Sequence, residues 1–269
     1  DFISKLGFKN NYELYFKNLN VKGKNDPLYT SNFQMDGMNI LKIDTSYPLL
    51  NLNDLVRETL TPKVSFRVNP INNMSNFSNT TSVITANNVF GINRLGITND
   101  FEAGKSLTFG LDYKYDPWKD NQTEDIKNDL SNDINKNLSE IPKDKYLEIK
   151  LATVVRDKNE DNIPLSSTIN RKNSDLFGSI ENKLLKNVNL LYEFSWDNDM
   201  KTINSNAIET EISINNFVTT FNFIEQRNEI GSTHLLSNTT EYKINDSKSL
   251  KFSTRRNKKI NLTEYYDLS

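Results

Sequence analysis

The chain has 269 residues with 33 basic and 35 acidic side chains, a net charge of −2, no cysteine and one histidine. Disulfides and thiolate metal sites are therefore excluded, a basic excess for nucleic-acid backbones is missing, and His-based triads or His-rich metal sites would hang on His234 alone. Hydrophobic residues make up 36 % and mean hydropathy is −0.64; no run of about 18 apolar residues occurs, which excludes a membrane-spanning helix but not a barrel, whose strands hide half their side chains in a polar lumen.

In chain order, Tyr12, Leu14 and Phe16 alternate with Glu13 and Lys17, with Tyr15 off pattern. Period-two alternation is the mark of a strand with one apolar face. Lys22 to Asp26 breaks it. Met38 to Leu52 reads as one strand interrupted at Pro48. Thr59 to Val68 follows, with Val64, Phe66 and Val68 opposite Lys63, Ser65 and Arg67. Pro62 lacks an amide donor and is expected at a strand start or on an edge. Residues 69–105 do not alternate and are rich in Asn, Ser, Thr and Gly, and connections that long are functional or disordered. Leu107, Phe109, Leu111, Tyr113 and Tyr115 then alternate with polar neighbours. The polar stretch 116–144 reads as an insertion, although Ile126, Leu130, Ile134 and Leu138 also suit a short amphipathic helix.

The second half is more regular. Leu147 to Val155 and Leu176 to Ile180 flank a polar loop over 157–172. Val188, Leu190, Tyr192, Phe194 and Trp196 then alternate with Asn189, Glu193, Ser195 and Asp197, with Leu191 the exception. Ile208 to Ile214, Phe217 to Phe223, Leu236 to Ile244, Leu250 to Thr254 and a segment from Leu262 continue the series. Short turns at 185–187, 215–216 and 245–248 contrast with longer polar connections at 198–203, 228–233 and 255–260. The expected fold is all-β: an antiparallel transmembrane β-barrel, here a partial barrel of about eleven strands in one domain over 1–269, with short turns on the periplasmic side. Neither end of the chain reads as a natural terminus, and the expectation is a fragment with two open edges.

One stretch does more than alternate. Residues 87–104 run Asn87-Asn88-Val89-Phe90-Gly91-Ile92-Asn93-Arg94-Leu95-Gly96-Ile97-Thr98-Asn99-Asp100-Phe101-Glu102-Ala103-Gly104. This resembles a loop signature of LptD, the family of outer-membrane lipopolysaccharide-assembly proteins, in which Asn-x-Phe, Asn-Arg, Gly and Asp-x-Glu-x-Gly precede a strand. Leu60-Thr61-Pro62-Lys63, then Val155-Arg156-Asp157 with Ser167-Thr168, Asn170-Arg171 and Ser174-Asp175, and then Asn261 to Leu268 resemble the family in the same order. The family's jellyroll, its cysteines and its first and last barrel strands have no counterpart here.

The resemblance implies lipopolysaccharide transport: sugar heads pass up a polar lumen and acyl chains leave sideways into the outer leaflet. It implies the Gram-negative outer membrane, a plug lipoprotein (LptE) and the periplasmic bridge protein LptA as partners, and no cofactor, metal or catalysis. Its signature residues are Asn93, Arg94, Gly96, Asp100, Glu102 and Gly104. Glu148, Lys150, Arg156, Glu193, Asp197, Glu209 and Glu211 would then face the lumen, where water solvates charges that cost roughly 2–4 kcal/mol for Lys or Arg on the lipid face. The loop is expected to be ordered and tucked into or over the lumen, with Arg94 paired to Asp100 or Glu102. A general porin or another outer-membrane transporter fits the strand pattern equally, and only the loop signature separates the two. A barrel lipase would need a nucleophile and base that His234 does not supply. A soluble β-sandwich or β-solenoid is the remaining alternative.

Overall fold

The computed structural model describes residues 2–25, 31–53, 55–70, 82–96, 102–117, 145–161, 163–245 and 247–269. The strands are β1 (Phe2–Ile3), β2 (Lys9–Val21), β3 (Gln34–Ser46), β4 (Leu49–Leu52), β5 (Arg57–Asn69), β6 (Gly104–Asp116), β7 (Leu147–Val155), β8 (Leu176–Asn182), β9 (Val188–Trp196), β10 (Ile203–Ile214), β11 (Phe217–Gln226), β12 (His234–Asn245), β13 (Lys248–Asn257) and β14 (Leu262–Leu268). They form one 14-stranded antiparallel sheet paired in chain order, with β4 beside the path on β5, and β1 and β14 do not pair. The helical content among the described residues is one 3₁₀ turn, Leu165–Ser167.

Fourteen strands replace the expected eleven or so mainly because two are too short to alternate: β1 has 2 residues and β4 has 4. The expected strand from Met38 to Leu52 divides at Tyr47 and Pro48, and its second piece turns back onto β5. Pro62 sits neither at a strand start nor on a sheet edge. It lies inside β5, in the gap where the neighbour on one side changes from β4 (pairing Arg57 to Leu60) to β3 (pairing Lys63 to Val68). The missing amide donor is not called on there, while the Pro62 carbonyl accepts from Tyr47 N at 3.0 Å. The amphipathic spacing over 126–138 lies outside the described residues.

Register assigns the two faces. Leu151 stands opposite Gly178, Gly178 opposite Phe194, and Tyr192 opposite Ile208. Leu190 stands opposite Thr210, and Thr210 opposite Phe221. Lys150, Ser179, Glu193 and Ala207 form the matching row on the other face, and Glu209 and Glu211 follow on β10. Because side chains alternate with period two, each face keeps its character across the sheet.

Burial is inverted relative to a water-soluble sheet. Phe16, Leu107, Phe109, Leu111, Phe221, Leu250 and Phe252 on the apolar face are exposed. The buried hydrophobic cluster lies on the polar face: Ala152 and Val154 of β7 and Phe177 of β8 pack against Ile84, Ala86, Val89, Leu95, Ala103, Ile163 and Ile169 from the connections. A broad exposed apolar face with the strands from β5 to β13 each paired on both sides is what a hydrocarbon environment requires of a barrel wall.

Candidate functional site

The long connections β5–β6 and β7–β8 leave the same end of the sheet and fold back along its polar face. The arm over 82–96 is built from consecutive tight turns: Val89 N donates to Thr85 O at 3.1 Å, Gly91 N to Asn88 O at 2.8 Å and Gly96 N to Asn93 O at 3.1 Å. Ser82 N closes the arm on Leu95 O at 3.0 Å. Asn88 does local work of the kind that favours Asn in turns: its Oδ1 accepts from Thr85 N at 2.9 Å and its Nδ2 donates to Val83 O at 2.8 Å. Gly96 and Gly104 hold φ of 67° and 80°, the left-handed region, and a Cβ at Gly104 would fall 2.3 Å from Glu160 Oε1.

Where the arm meets the wall, Glu102 gathers cations from three places. Arg94 of the arm grips it with two bonds, Nε to Oε2 at 2.6 Å and Nη2 to Oε1 at 2.5 Å. The same guanidinium donates to Thr108 Oγ1 and Ser106 Oγ of β6, both at 3.0 Å, and to Val89 O at 3.1 Å. Arg156, just past β7, pairs with Glu102 Oε1 and donates to Ala103 O at 3.1 Å and Ile169 O at 2.5 Å. Arg67 of β5 places Nη1 3.5 Å from Glu102 Oε2. Register makes this possible, since Arg67 is opposite Ser106 and Leu107 is opposite Val155. Burial alone would raise the Glu102 carboxyl, but Arg94, Arg67 and Arg156 outweigh it and hold the group well below the usual carboxylate range. Burial lowers the Arg156 guanidinium, with Glu102 opposing. A bidentate arginine on a fully buried carboxylate is a strong and directional anchor.

The arm then reaches further along the wall. Asn87 Nδ2 donates to Glu193 Oε1 at 2.9 Å, and Asn87 Oδ1 accepts from Lys150 Nζ at 3.0 Å. Lys150 also pairs with Glu148 at 2.9 Å. Phe90 lies over Gly110, where an added Cβ would fall 2.5 Å from the ring, and Lys63 Nζ stands 4.5 Å from the ring centroid. The β7–β8 connection is fixed at its far end by Asp175, whose Oδ2 accepts from Ser195 Oγ at 2.7 Å and Asn204 Nδ2 at 2.8 Å. Burial pushes the Asp175 carboxyl up, against those two hydrogen bonds.

Of the residues singled out from sequence, Arg94, Glu102 and Arg156 converge, and Lys150, Glu148 and Glu193 meet under Asn87. Asn93 and Gly96 shape the last turn of the arm, and Gly104 begins β6 against Glu160. Asp197 stands apart at the rim, 3.8 Å from Arg171. Glu211 accepts from Asn189 at 3.3 Å, and with Glu209 lines a separate cavity of about 230 Å³ nearer the short turns. Asp100 lies outside the described residues. Sequence reading missed Arg67, Asn87, Ser106, Thr108 and Asp175 as members of the site. A signal was present: Ser65, Ser106, Thr108, Gly110, Ala152, Ser179 and Ser195 are small residues at successive positions of the polar face, which is where a second body lands on a wall.

A lipid-facing antiparallel sheet whose polar face carries its own folded connections defines the class: an outer-membrane-type β-barrel with internal loops. Within that class, residues 3–253 match the model of the LptD family, LPS transport system D, and the chain belongs to that family. Its transport class is therefore that of lipopolysaccharide. No curated protein matches the chain.

Proposed function

We propose that this chain forms part of the wall of the barrel that carries lipopolysaccharide through a polar lumen and releases it sideways into the outer leaflet of a Gram-negative outer membrane. The observation that carries the reading is the loop body anchored at Glu102 on the polar face, while the apolar face is left for lipid. Glu148, Lys150, Glu193, Asp197, Glu209 and Glu211 give the lumen a hydrated lining of both signs, suited to sugar and phosphate groups, while Arg156 is enclosed in the anchor. The body formed by the arm and the β7–β8 connection narrows the lumen along β5–β9 and directs the head group toward the barer wall beyond β10. Acyl chains cannot follow without meeting charge, so they leave sideways between strands. The expected partners are the plug lipoprotein LptE in the lumen and the bridge protein LptA on the periplasmic side. The chain acts as a conduit and not as a catalyst.

The test is Arg94→Glu in the full-length protein in cells. It places two carboxylates together at the anchor and releases the arm. Cells with normal barrel levels should become sensitive to large hydrophobic antibiotics, because lipopolysaccharide delivery falters. Unchanged sensitivity at normal barrel levels would remove the loop body from the transport path.

A further inference from the structure

The anchor that fixes the loop body is out of charge balance. Arg67, Arg94, Arg156 and Glu102 are all buried, each no more than 5 % exposed. Both oxygens of Glu102 are taken, Oε1 by Arg94 and Arg156 and Oε2 by Arg94 Nε. Arg94 and Arg156 spend their remaining donors on hydroxyls and carbonyls. Arg67 does not: Nε, Nη1 and Nη2 are all buried and none has a hydrogen-bond partner. Its cross-strand neighbour Lys42 is a further buried cation, but Lys42 keeps Glu13 at 3.2 Å and Asp44 at 2.5 Å for itself. Glu160 is the other buried carboxylate acting on Arg156, and it also meets Lys158 at 3.5 Å. Crediting both Glu102 and Glu160 to the arginines leaves three guanidinium groups to two carboxylates at the anchor itself; Glu13 and Asp44, which would level the count, are partly exposed and held by Lys42. A buried guanidinium with unmet donors and unbalanced charge is strongly unfavourable, so such a group calls for an unseen partner.

We infer that Arg67 binds a small inorganic monovalent anion, chloride in the cell, as a built-in part of the anchor. Access favours a free ion over a group on a larger molecule. All three nitrogens are closed off from solvent, so a phosphate or carboxylate tethered to a lipid or sugar cannot reach them, whereas an ion enclosed as the arm docks can. The anion supplies the missing negative charge, takes up the Arg67 donors, and makes docking of the arm depend on it. Binding to the docked state alone stabilises it in proportion to the logarithm of anion concentration above the dissociation constant.

The experiment uses the full-length protein purified in detergent, with the melting temperature followed in sodium chloride and in sodium gluconate at equal ionic strength. Melting should be higher in chloride and rise by a constant step for each tenfold increase, and Arg67→Met should lose that dependence. Protein folded and crystallised in bromide should show an anomalous peak against the Arg67 nitrogens. The bromide measurement needs no variant, so it decides the matter even where Arg67→Met fails to fold. Equal melting in the two salts, a chloride effect that survives Arg67→Met, or density at Arg67 without anomalous signal (an ordered water only) would each overturn the inference.

Discussion

The polar face is put to two uses. Along β5–β9 it is covered: Ser65, Arg67, Asn69, Ser106, Thr108, Ala152, Val154, Phe177, Ser179 and Ser195 are buried beneath the chain's own connections. Along β12–β14 no connection among the described residues is laid over it in the same way, and Lys243, Ser249, Lys251 and Tyr265 are exposed. Both stretches obey the same period-two code, and neither could be turned over without putting charge into lipid. Much of the difference is side-chain size: eight of those ten covered residues are Ser, Thr, Asn, Ala or Val, whereas Lys243, Lys251 and Tyr265 of the bare stretch are long. Small residues let a second body approach within hydrogen-bonding distance of the wall, whereas long charged ones keep the surface wet. The alternation therefore sets which way the wall faces, and residue volume on the polar side sets what rests on it.

The covered wall should be far more sensitive to substitution than the bare one. The largest expected effect is Glu102→Gln, which leaves Arg94, Arg67 and Arg156 without their shared carboxylate. Breaking a buried pair from one side costs about 3–5 kcal/mol, read as faster hydrogen exchange in the arm over 82–96. Glu209→Gln, on the exposed part of the same face, should cost less than about 0.5 kcal/mol by the same reading. If the two variants behave alike, the contrast between the walls fails.

A smaller effect is expected from Gly110→Val. The new Cβ would fall within 2.5 Å of the Phe90 ring, and overpacking of this kind costs about 1–3 kcal/mol. Exchange should rise around Phe90 while the Arg94–Glu102 anchor stays protected; uniform loosening of the whole arm would mean that the two contacts are not separable.

The mildest effect concerns pH, and the two buried carboxylates should respond with opposite sign. The Asp175 pKa is raised in the folded state by burial, so its contribution is fully present below the ordinary carboxylate pKa of about 4 and is lost as pH rises through the raised folded value. The Glu102 pKa is lowered, so its contribution is present throughout the range above the ordinary value and is lost only as strong acid reaches the folded one. Thermal unfolding in detergent should therefore show a shallow fall in stability from about pH 4 upward that Asp175→Asn flattens. A slope unchanged by Asp175→Asn would assign it to another group.

Much of this was legible in the chain itself. Alternation through Val188 to Asp197 and its neighbours gave the faces, and the Asn93-Arg94 to Gly104 run pointed to an ordered loop with Arg94 on a carboxylate. The short strands β1 and β4 were not legible, because two or four residues carry no period. The position of Pro62 depends on a change of pairing partner, which is a property of three strands at once. The arginine cluster was hidden for the same reason: Arg67 and Arg156 lie far apart in sequence and meet only through the registers of β5, β6 and β7. Leu191 and Tyr15, exceptions to the alternation, turn out to keep the strand phase and simply place an apolar side chain on the polar face, opposite Glu209 and Ile40.

The central claim is that the arm rests on the polar face of the wall, and proximity across that contact tests it most directly. Asn87 reaches Glu193, while Phe194, one residue on, points to the opposite face. In the full-length protein in cells, Asn87→Cys with Glu193→Cys should be joined by a short bifunctional thiol reagent into one internally cross-linked chain, and Asn87→Cys with Phe194→Cys should not. Equal joining of both pairs, or separate labelling of Asn87→Cys and Glu193→Cys by a membrane-impermeant maleimide with no cross-link, would contradict the account.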